Sequence, residues 1–260
     1  MKIYSWKDIF ENPHFAEAEF FAPGCGITVG SFDGIHQGHS LLLKTLVNNC
    51  EKKGFLKGVV TFTRPLPSIK HSADYAGDVS TLNQRMKLLE GYGIDFVIIS
   101  DFEQSFSELS GVQFFTKLIE KCNLKLIAEG VDFRCGYKGA TDVSAIRYFA
   151  EDNGLESFFV EPVFYKPGTD EEERISSSYI RQMIKKGFLA TVEELLERKY
   201  ELDLTAAELY DGMINGKSVL QVLPPDGVYH CKNEMGESVR VEIVNGKNIK
   251  VDILSKSILF

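Results

Sequence analysis

Short, unbroken apolar runs alternate with stretches of helical spacing along the first two thirds of the chain, and this alternation restricts the fold more than any other feature. The runs are Ile27-Thr28-Val29, Val59-Val60-Thr61-Phe62, Phe96-Val97-Ile98-Ile99, Leu126-Ile127-Ala128 and Phe158-Phe159-Val160. Each is continuous, as a strand covered on both faces must be. Between them, Leu42, Leu43, Leu46 and Val47, then Leu82, Met86 and Leu89, then Phe114, Phe115, Leu118 and Ile119, then Ile146, Phe149 and Ala150 fall at helical spacing. The pattern predicts an α/β fold, a doubly wound, Rossmann-like parallel sheet with ligands bound beyond the carboxyl ends of its strands.

The pattern changes after Ile175. Two short helices are expected around Ser177 to Lys186 and Val192 to Arg198, with Gly187 as a C-cap between them. From Val219 the chain reads as alternating β, with Val239, Val241 and Ile243 followed by Ile249, Val251 and Ile253, and turns at Pro224-Pro225-Asp226-Gly227, Met235-Gly236 and Asn245-Gly246. The expectation is a main domain over residues 1–186, then residues 187–260 as a short helical connection and a small all-β appendage of about three or four strands.

Composition excludes several classes. With Lys+Arg 29 against Asp+Glu 37, the net charge of -8 argues against a nucleic-acid partner, which requires a clustered basic surface. The five cysteines, Cys25, Cys50, Cys122, Cys135 and Cys231, are odd in number and lack a CxxC pair, so neither a disulfide framework nor a zinc site is indicated. Met1 to Phe10 carries no apolar signal core and no run approaches a membrane span. A cytoplasmic protein without a membrane partner is expected.

The segment with chemical content follows the first predicted strand: Gly30-Ser31-Phe32-Asp33-Gly34-Ile35-His36-Gln37-Gly38-His39, then a helix. Glycines at 30, 34 and 38 permit close backbone approach, and a helix beginning near His39 aims free N–H groups and its positive dipole end at a ligand, as phosphate sites do. His36 and His39 are three apart, so both imidazoles can donate to phosphoryl oxygens. An isolated His near a helix start is more often a surface or capping residue, but this pair comes with three glycines and a preceding strand. A metal site is the other sharp reading, but this pair lacks a nearby third ligand and no protein metal site is expected.

A second constellation, Ile175-Ser176-Ser177-Ser178-Tyr179-Ile180-Arg181, opens a helix. One serine there is an ordinary N-cap. Arg181 opposes the helix dipole and so is not there to stabilise the helix; beside free N–H groups it suits a polyphosphate. A third segment, Gly130 to Asp142, mixes Gly, Asp, Arg, Lys and aromatics beyond a strand end, which fits a nucleotide or flavin loop and fits a solvated loop nearly as well.

Together these segments resemble the bacterial FAD synthetase family, the adenylyltransferase module usually found in bifunctional riboflavin kinase/FMN adenylyltransferases. The resemblance runs from about Ile27 to Tyr200 and rests on Gly30 to His39 for GxFDGxHxGH, Val131-Asp132-Phe133-Arg134-Cys135-Gly136 for the DFRFG-like loop, Ile175 to Arg181 for ISSTxIR, and Leu195-Leu196-Glu197-Arg198-Lys199-Tyr200 for LLGRPY. It implies transfer of AMP from ATP to FMN, giving FAD, in an HxGH nucleotidyltransferase that needs Mg²⁺ with its ATP. Catalytic roles fall to His36, His39, Ser177, Ser178 and Arg181, nucleotide contacts to Gly30, Ser31, Phe32, Asp33, Gly34, Gly38 and Ile175, and a flavin or ribose loop to Asp132, Phe133, Arg134 and Gly136.

Two departures from the family pattern stand out. Where the family shows TFEPHP, this chain reads Thr61-Phe62-Thr63-Arg64-Pro65-Leu66, without the acid or the histidine. After Tyr200 there is neither the glycine-rich strand nor the PTAN motif of the kinase domain, only Leu223 to Tyr229 resembling a piece of it, so residues 187–260 are expected to be a kinase remnant without kinase activity. Transfer to another phosphorylated acceptor, or a flavin- or nucleotide-binding protein that has lost catalysis, remain the competing readings.

Overall fold

The computed structural model describes all residues except 13–14, 16–18, 67, 69–74, 211–212, 247 and 254. Two compact units interleave in the sequence. One comprises Met1–Phe32, His39–Thr63 and Lys87–Pro162; the other comprises Asp33–Gly38, Arg64–Met86 and Val163–Phe260. Neither coincides with the segments 1–186 and 187–260.

The first unit holds a six-stranded parallel sheet of β1 (Lys2–Ser5), β2 (Cys25–Val29), β3 (Leu56–Phe62), β4 (Phe96–Ser100), β5 (Leu124–Gly130) and β6 (Glu156–Val160), in the order β1-β4-β3-β2-β5-β6. All five predicted strands form. β1, which carries no apolar run, adds an edge by pairing in parallel with β4. The order from β4 to β6 reverses direction between β2 and β5, the switch point at which doubly wound sheets leave a crevice at their carboxyl ends. β2 is buried at every position, with Ile27 opposite Gly58 on one side and Ile127 on the other.

A short helix not expected from the sequence, α1 (Trp6–Phe10), precedes those that follow the predicted spacing, α2 (Gln37–Glu51), α3 (Leu82–Gly91), α4 (Gly111–Cys122), α5 (Val143–Asp152), α6 (Ser177–Lys186) and α7 (Leu189–Leu196), with one further turn at Gln104–Ser107. Local chemistry sets their ends. Ser110 and Gln113 close a capping box on α4, and Asp142 caps α5 by accepting from Ala145 N–H at 3.0 Å. Gly187, at φ 79°, ends α6 as expected. α7 begins earlier than the expected 192–198 and ends at Leu196, where Glu197 turns left-handed at φ 57°.

In the second unit α6 and α7 share a core of Ile180, Ile184, Val192, Leu195 and Tyr200. The C-terminal β region is larger than expected. Seven antiparallel strands, β7 (Glu201–Asp203), β8 (Leu209–Tyr210), β9 (Met213–Asn215), β10 (Gly227–Asn233), β11 (Ser238–Val244), β12 (Asn248–Val251) and β13 (Ser257–Leu259), run in the order β7-β13-β10-β11-β12-β9-β8. The alternation predicted for Val239, Val241 and Ile243 is observed, all three being buried. Ile253 is a correction: β12 stops at Val251, and Ile253 is exposed. Among the described residues no helix is long and apolar enough to cross a membrane.

Candidate active site

The segment Gly30 to His39 leaves β2 and ends in the first turn of α2, which starts at Gln37, two residues before the expected point. Of its three glycines only Gly34 is left-handed, at φ 87°; the other left-handed positions are Phe32 and Ile35, at 48° and 40°, each 1% exposed. Side chains in that region cost of order 1 kcal/mol or more and persist where the surroundings impose them. A Cβ on Gly34 would come within 2.8 Å of Val79, so this position needs glycine for space as well as for its backbone angle.

In the first unit, Gly30 lies against the Phe32 ring and that ring tilts against His39, centroids 5.1 Å apart. Gly30 N–H donates to Val60 C=O at 3.0 Å, and the Ser31 carbonyl accepts from the Thr61 hydroxyl at 3.4 Å. Beside them Glu129 of β5 is buried and accepts from Val29 N–H at 2.7 Å, where the recorded β2–β5 pairing has already ended at Ile27. Burial holds the Glu129 carboxyl well above the usual carboxylate range. The DFRFG-like loop belongs to this unit too. Arg134-Cys135 pairs with Thr141-Asp142, and Arg134 Nε donates to Gly139 C=O at 2.8 Å. Gly136 is left-handed, Asp132 and Arg134 are exposed, and Phe133 packs against the core.

In the second unit the charged residues of the motifs converge. Asp33, 1% exposed, accepts from Val79 N–H (2.9 Å) and Ser80 N–H (2.9 Å) and forms a short ion pair with Arg181 Nη2. Burial raises the Asp33 carboxyl above its ordinary value, while Arg181 and the two amides pull it down. Arg181 also donates from Nε to Gly77 C=O at 2.9 Å and from Nη2 to the Tyr75 hydroxyl at 3.1 Å, and its guanidinium lies 4.9 Å from the Tyr75 ring centroid. The serines divide their work: Ser176 caps α6, accepting from Tyr179 N–H at 3.2 Å, Ser177 donates to Asp33 C=O at 2.8 Å, and Ser178 is exposed. Ile175 is buried, its carbonyl near Gly38.

His36 lies against Gly38 and is 6% exposed. Burial, reinforced by the positive charges of Arg174 and Arg198, lowers its pKa to about 4. The imidazole is neutral at pH 7 and offers a phosphoryl group a hydrogen-bond donor without a charge.

Several residues that matter here were not singled out from the sequence. Arg198, within the LLGRPY-like motif, donates to the carbonyls of Ile35 (3.1 Å) and Leu196 (2.9 Å) and makes a short bond to Gly34 C=O, clamping the left-handed turn. Arg64, which replaces the family pattern after β3, makes a bidentate pair with Asp78 at 2.8 and 3.0 Å. Thr63, just before it, bonds to Asp101 in the first unit and donates its N–H to Ser100 C=O at 3.2 Å. Fully buried Arg85 faces Asp33 and Asp78, which attract it. Among the described residues no group of His, Cys, Asp or Glu gathers in a way that could hold a metal ion.

Comparison with known proteins shows the family of the chain. A family model described as FAD synthetase matches residues 20–179, well over half of the chain. The FAD synthetase of Listeria monocytogenes is 26% identical over 229 residues, covering 87% of each chain. The bifunctional riboflavin kinase/FMN adenylyltransferase of Escherichia coli K12 is 29% identical over 181 residues, 69% of this chain and 56% of that one. That of Buchnera aphidicola is 27% identical over 68% and 55% of the two. The match thus spans a little over half the length of these bifunctional relatives. A solved structure, described as a macrolide-efflux protein from Streptococcus pneumoniae, superposes with a TM-score of 0.75 at 21% identity, covering 100% of this chain and 97% of that one, and so shares the fold. With the family model matched over residues 20–179, from before β2 into the first turn of α6, the chain belongs to the FAD synthetase family.

Proposed function

We propose that this protein transfers the AMP moiety of ATP to the phosphate of FMN, giving FAD and pyrophosphate. An oxygen of the FMN phosphate attacks the α-phosphorus, the bond from that phosphorus to the bridging β-oxygen breaks, and pyrophosphate leaves with the electron pair. The nucleophile is already an anion at pH 7, since the second pKa of a phosphate monoester lies near 6, so no strong general base is required. The work of the chain is positioning and charge stabilisation.

The observation that carries this reading is the Gly30 to His39 segment, which passes from β2 at the switch point into the N-terminus of α2. The free N–H groups of that first turn, His36 as a neutral donor and His39 would meet charge developing on the α-phosphoryl oxygens. Arg181, Ser177 and Ser178 would hold the departing β- and γ-phosphates. Gly30, Ser31, Phe32, Asp33, Gly34, Gly38 and Ile175 would frame the nucleotide, and Asp132, Phe133, Arg134 and Gly136 the flavin or ribose. Mg²⁺ would enter on the triphosphate and keep most of its waters; the Asp33 carboxylate, bound to two amides and Arg181, is suited to fixing the loop and not to metal ligation.

We read residues 1–186 as the transferase module and residues 187–260 as a kinase-like remnant without riboflavin kinase activity, in a cytoplasmic chain. The test is to incubate the purified protein with ATP, Mg²⁺ and FMN while following FAD and pyrophosphate, with riboflavin in a parallel reaction. Removing one transition-state donor costs about 10² to 10³ in rate. His39→Ala should therefore lower turnover at least about a hundredfold with the fold intact, and near-normal turnover would sink the assignment.

The Arg64–Asp78 pair favours one second reading, a protein that binds the nucleotide or flavin without turnover, because the loop that departs from the family pattern is tied to a buried carboxylate. Tight ATP or FMN binding with no pyrophosphate formed would select it.

A further inference from the structure

We propose that the C-terminal β region is a working part of the nucleotide site, with Gln221 as a positioning residue: it fixes residues Gly77 to Ser80, which in turn fix the Asp33 carboxylate and, through it, Arg181. The proposal rests on the reading of Asp33 and Arg181 as nucleotide-site residues and goes beyond it by giving the β region a role in that site. All of these groups lie within the second unit.

Between β9 and β10 the chain runs beside Asp78 as a short parallel bridge with Gln221. Asp78 N–H donates to Leu220 C=O at 2.9 Å, and Val222 N–H donates to Asp78 C=O at 2.9 Å. Gln221 is 3% exposed and uses both ends of its amide. Its nitrogen donates to Val79 C=O (3.0 Å) and Glu201 C=O (2.8 Å), and its oxygen accepts from Asp203 N–H (2.7 Å). β7 adds two more ties: the Thr81 hydroxyl donates to Asp203 at 2.7 Å, and Gln84 donates to Glu201 C=O at 3.0 Å.

Val79 is therefore gripped on both sides. Its carbonyl is held by Gln221 and its N–H by Asp33, so a shift of this one residue on the β side moves the carboxylate that pairs with Arg181. Ser80 repeats the arrangement, its N–H on Asp33 and its hydroxyl accepting from Gly34 N–H at 2.8 Å. Gly77, whose carbonyl accepts from Arg181, has φ 120°, and a Cβ there would stand 2.8 Å from Val222 N and 2.9 Å from Gln221 C. Only glycine allows the two backbones to come this close. A fully paired buried amide is costly to replace, and hydrogen-bonded supports of this kind are what hold a reactive constellation in place.

The test compares the full-length protein with Gln221→Ala, Gly77→Ala, their double variant, and Tyr229→Phe, which removes only a bond to Pro225 C=O elsewhere in the β region. ATP and FMN are varied separately, below the melting temperature of every variant. Both single variants should raise KM for ATP roughly tenfold, the scale of one or two lost hydrogen bonds, with KM for FMN within about twofold. The double variant should be no worse than the weaker single, since the two act on one contact. Tyr229→Phe should match the unaltered protein. Without substrates, amide exchange over residues 33–38 and 77–84 should quicken in Gln221→Ala. An unchanged KM for ATP in an active Gln221→Ala protein, or equal rises for both substrates, overturns the proposal. Should the unaltered protein form no FAD, the functional reading fails separately, and unchanged exchange over residues 33–38 then overturns the positioning role.

Discussion

His36 provides a pH-dependence whose sign and size follow from its surroundings. Its folded pKa is about 4, lowered first by burial and then by Arg174 and Arg198, against about 6.5 in an unfolded chain. Because the folded value is depressed, the unfolded state binds the proton more readily. The stability contributed by neutral His36 is thus fully present above pH 6.5 and is lost as pH falls from 6.5 towards 4. At about 1.4 kcal/mol per pKa unit the full loss is about 3 kcal/mol, and about 2 kcal/mol of it falls between pH 7 and pH 5. Asp33 and Glu129 act in the opposite sense: burial raises both, so their contribution grows on acidification and the raw pH curve mixes the two effects. The difference between the unaltered protein and His36→Gln isolates the histidine. Urea denaturation at pH 7, 6 and 5 should show the stability difference moving by about 2 kcal/mol in favour of the variant on going to pH 5. A difference that stays constant, or moves the other way, would refute the assignment of a buried, neutral imidazole.

Substitutions at two further positions test the framework around it. Asp33→Asn leaves Arg181 buried without its carboxylate, which should lower unfolding stability by about 3 kcal/mol or more in the same urea assay; a loss below 1 kcal/mol would show that the pair is not a buried one in solution. Glu129→Leu strips Val29 N–H of its acceptor and should cost about 1–3 kcal/mol, whereas Glu129→Gln, which keeps an acceptor, should melt close to the unaltered protein; equal losses for the two would contradict the bond to Val29.

How much of this was legible beforehand depended on whether the information was local. The five inner strands were readable because burial on both faces requires continuous apolar runs, whereas Lys2–Ser5 pairs on one side only, is mostly exposed and carries no such run. In the β region the long strands advertised themselves by alternation. Glu201–Asp203, Met213–Asn215 and Ser257–Leu259 are three residues each, too short to display a period, so a seven-stranded sheet read as three or four. At the site, Asp33, Ser177 and Arg181 were found through motifs. The roles of Glu129 and Gln221 carried no such signal, because a lone acid in a strand and a lone Gln after a turn acquire meaning only from partners about a hundred or more residues away. Arg198 is intermediate: its motif was visible, but its clamp on Gly34 and Ile35 was not.

The change in the loop after β3 looks different once its partners are known. By sequence, Thr63-Arg64-Pro65-Leu66 loses an acid and a histidine relative to the family pattern. In the structure, Arg64 sits bidentate on Asp78, the residue that bridges to Gln221 and whose neighbours hold Asp33. Three arginines, Arg64, Arg85 and Arg181, then stand against two carboxylates, Asp33 and Asp78. Asp33, Asp78, Arg85 and Arg181 are buried, while Arg64 is partly exposed. Buried charge is tolerated when it is compensated, and each of these arginines is attracted by a carboxylate. The substitution therefore adds a cation that is itself paired, and it ties the loop that carries it to a buried carboxylate.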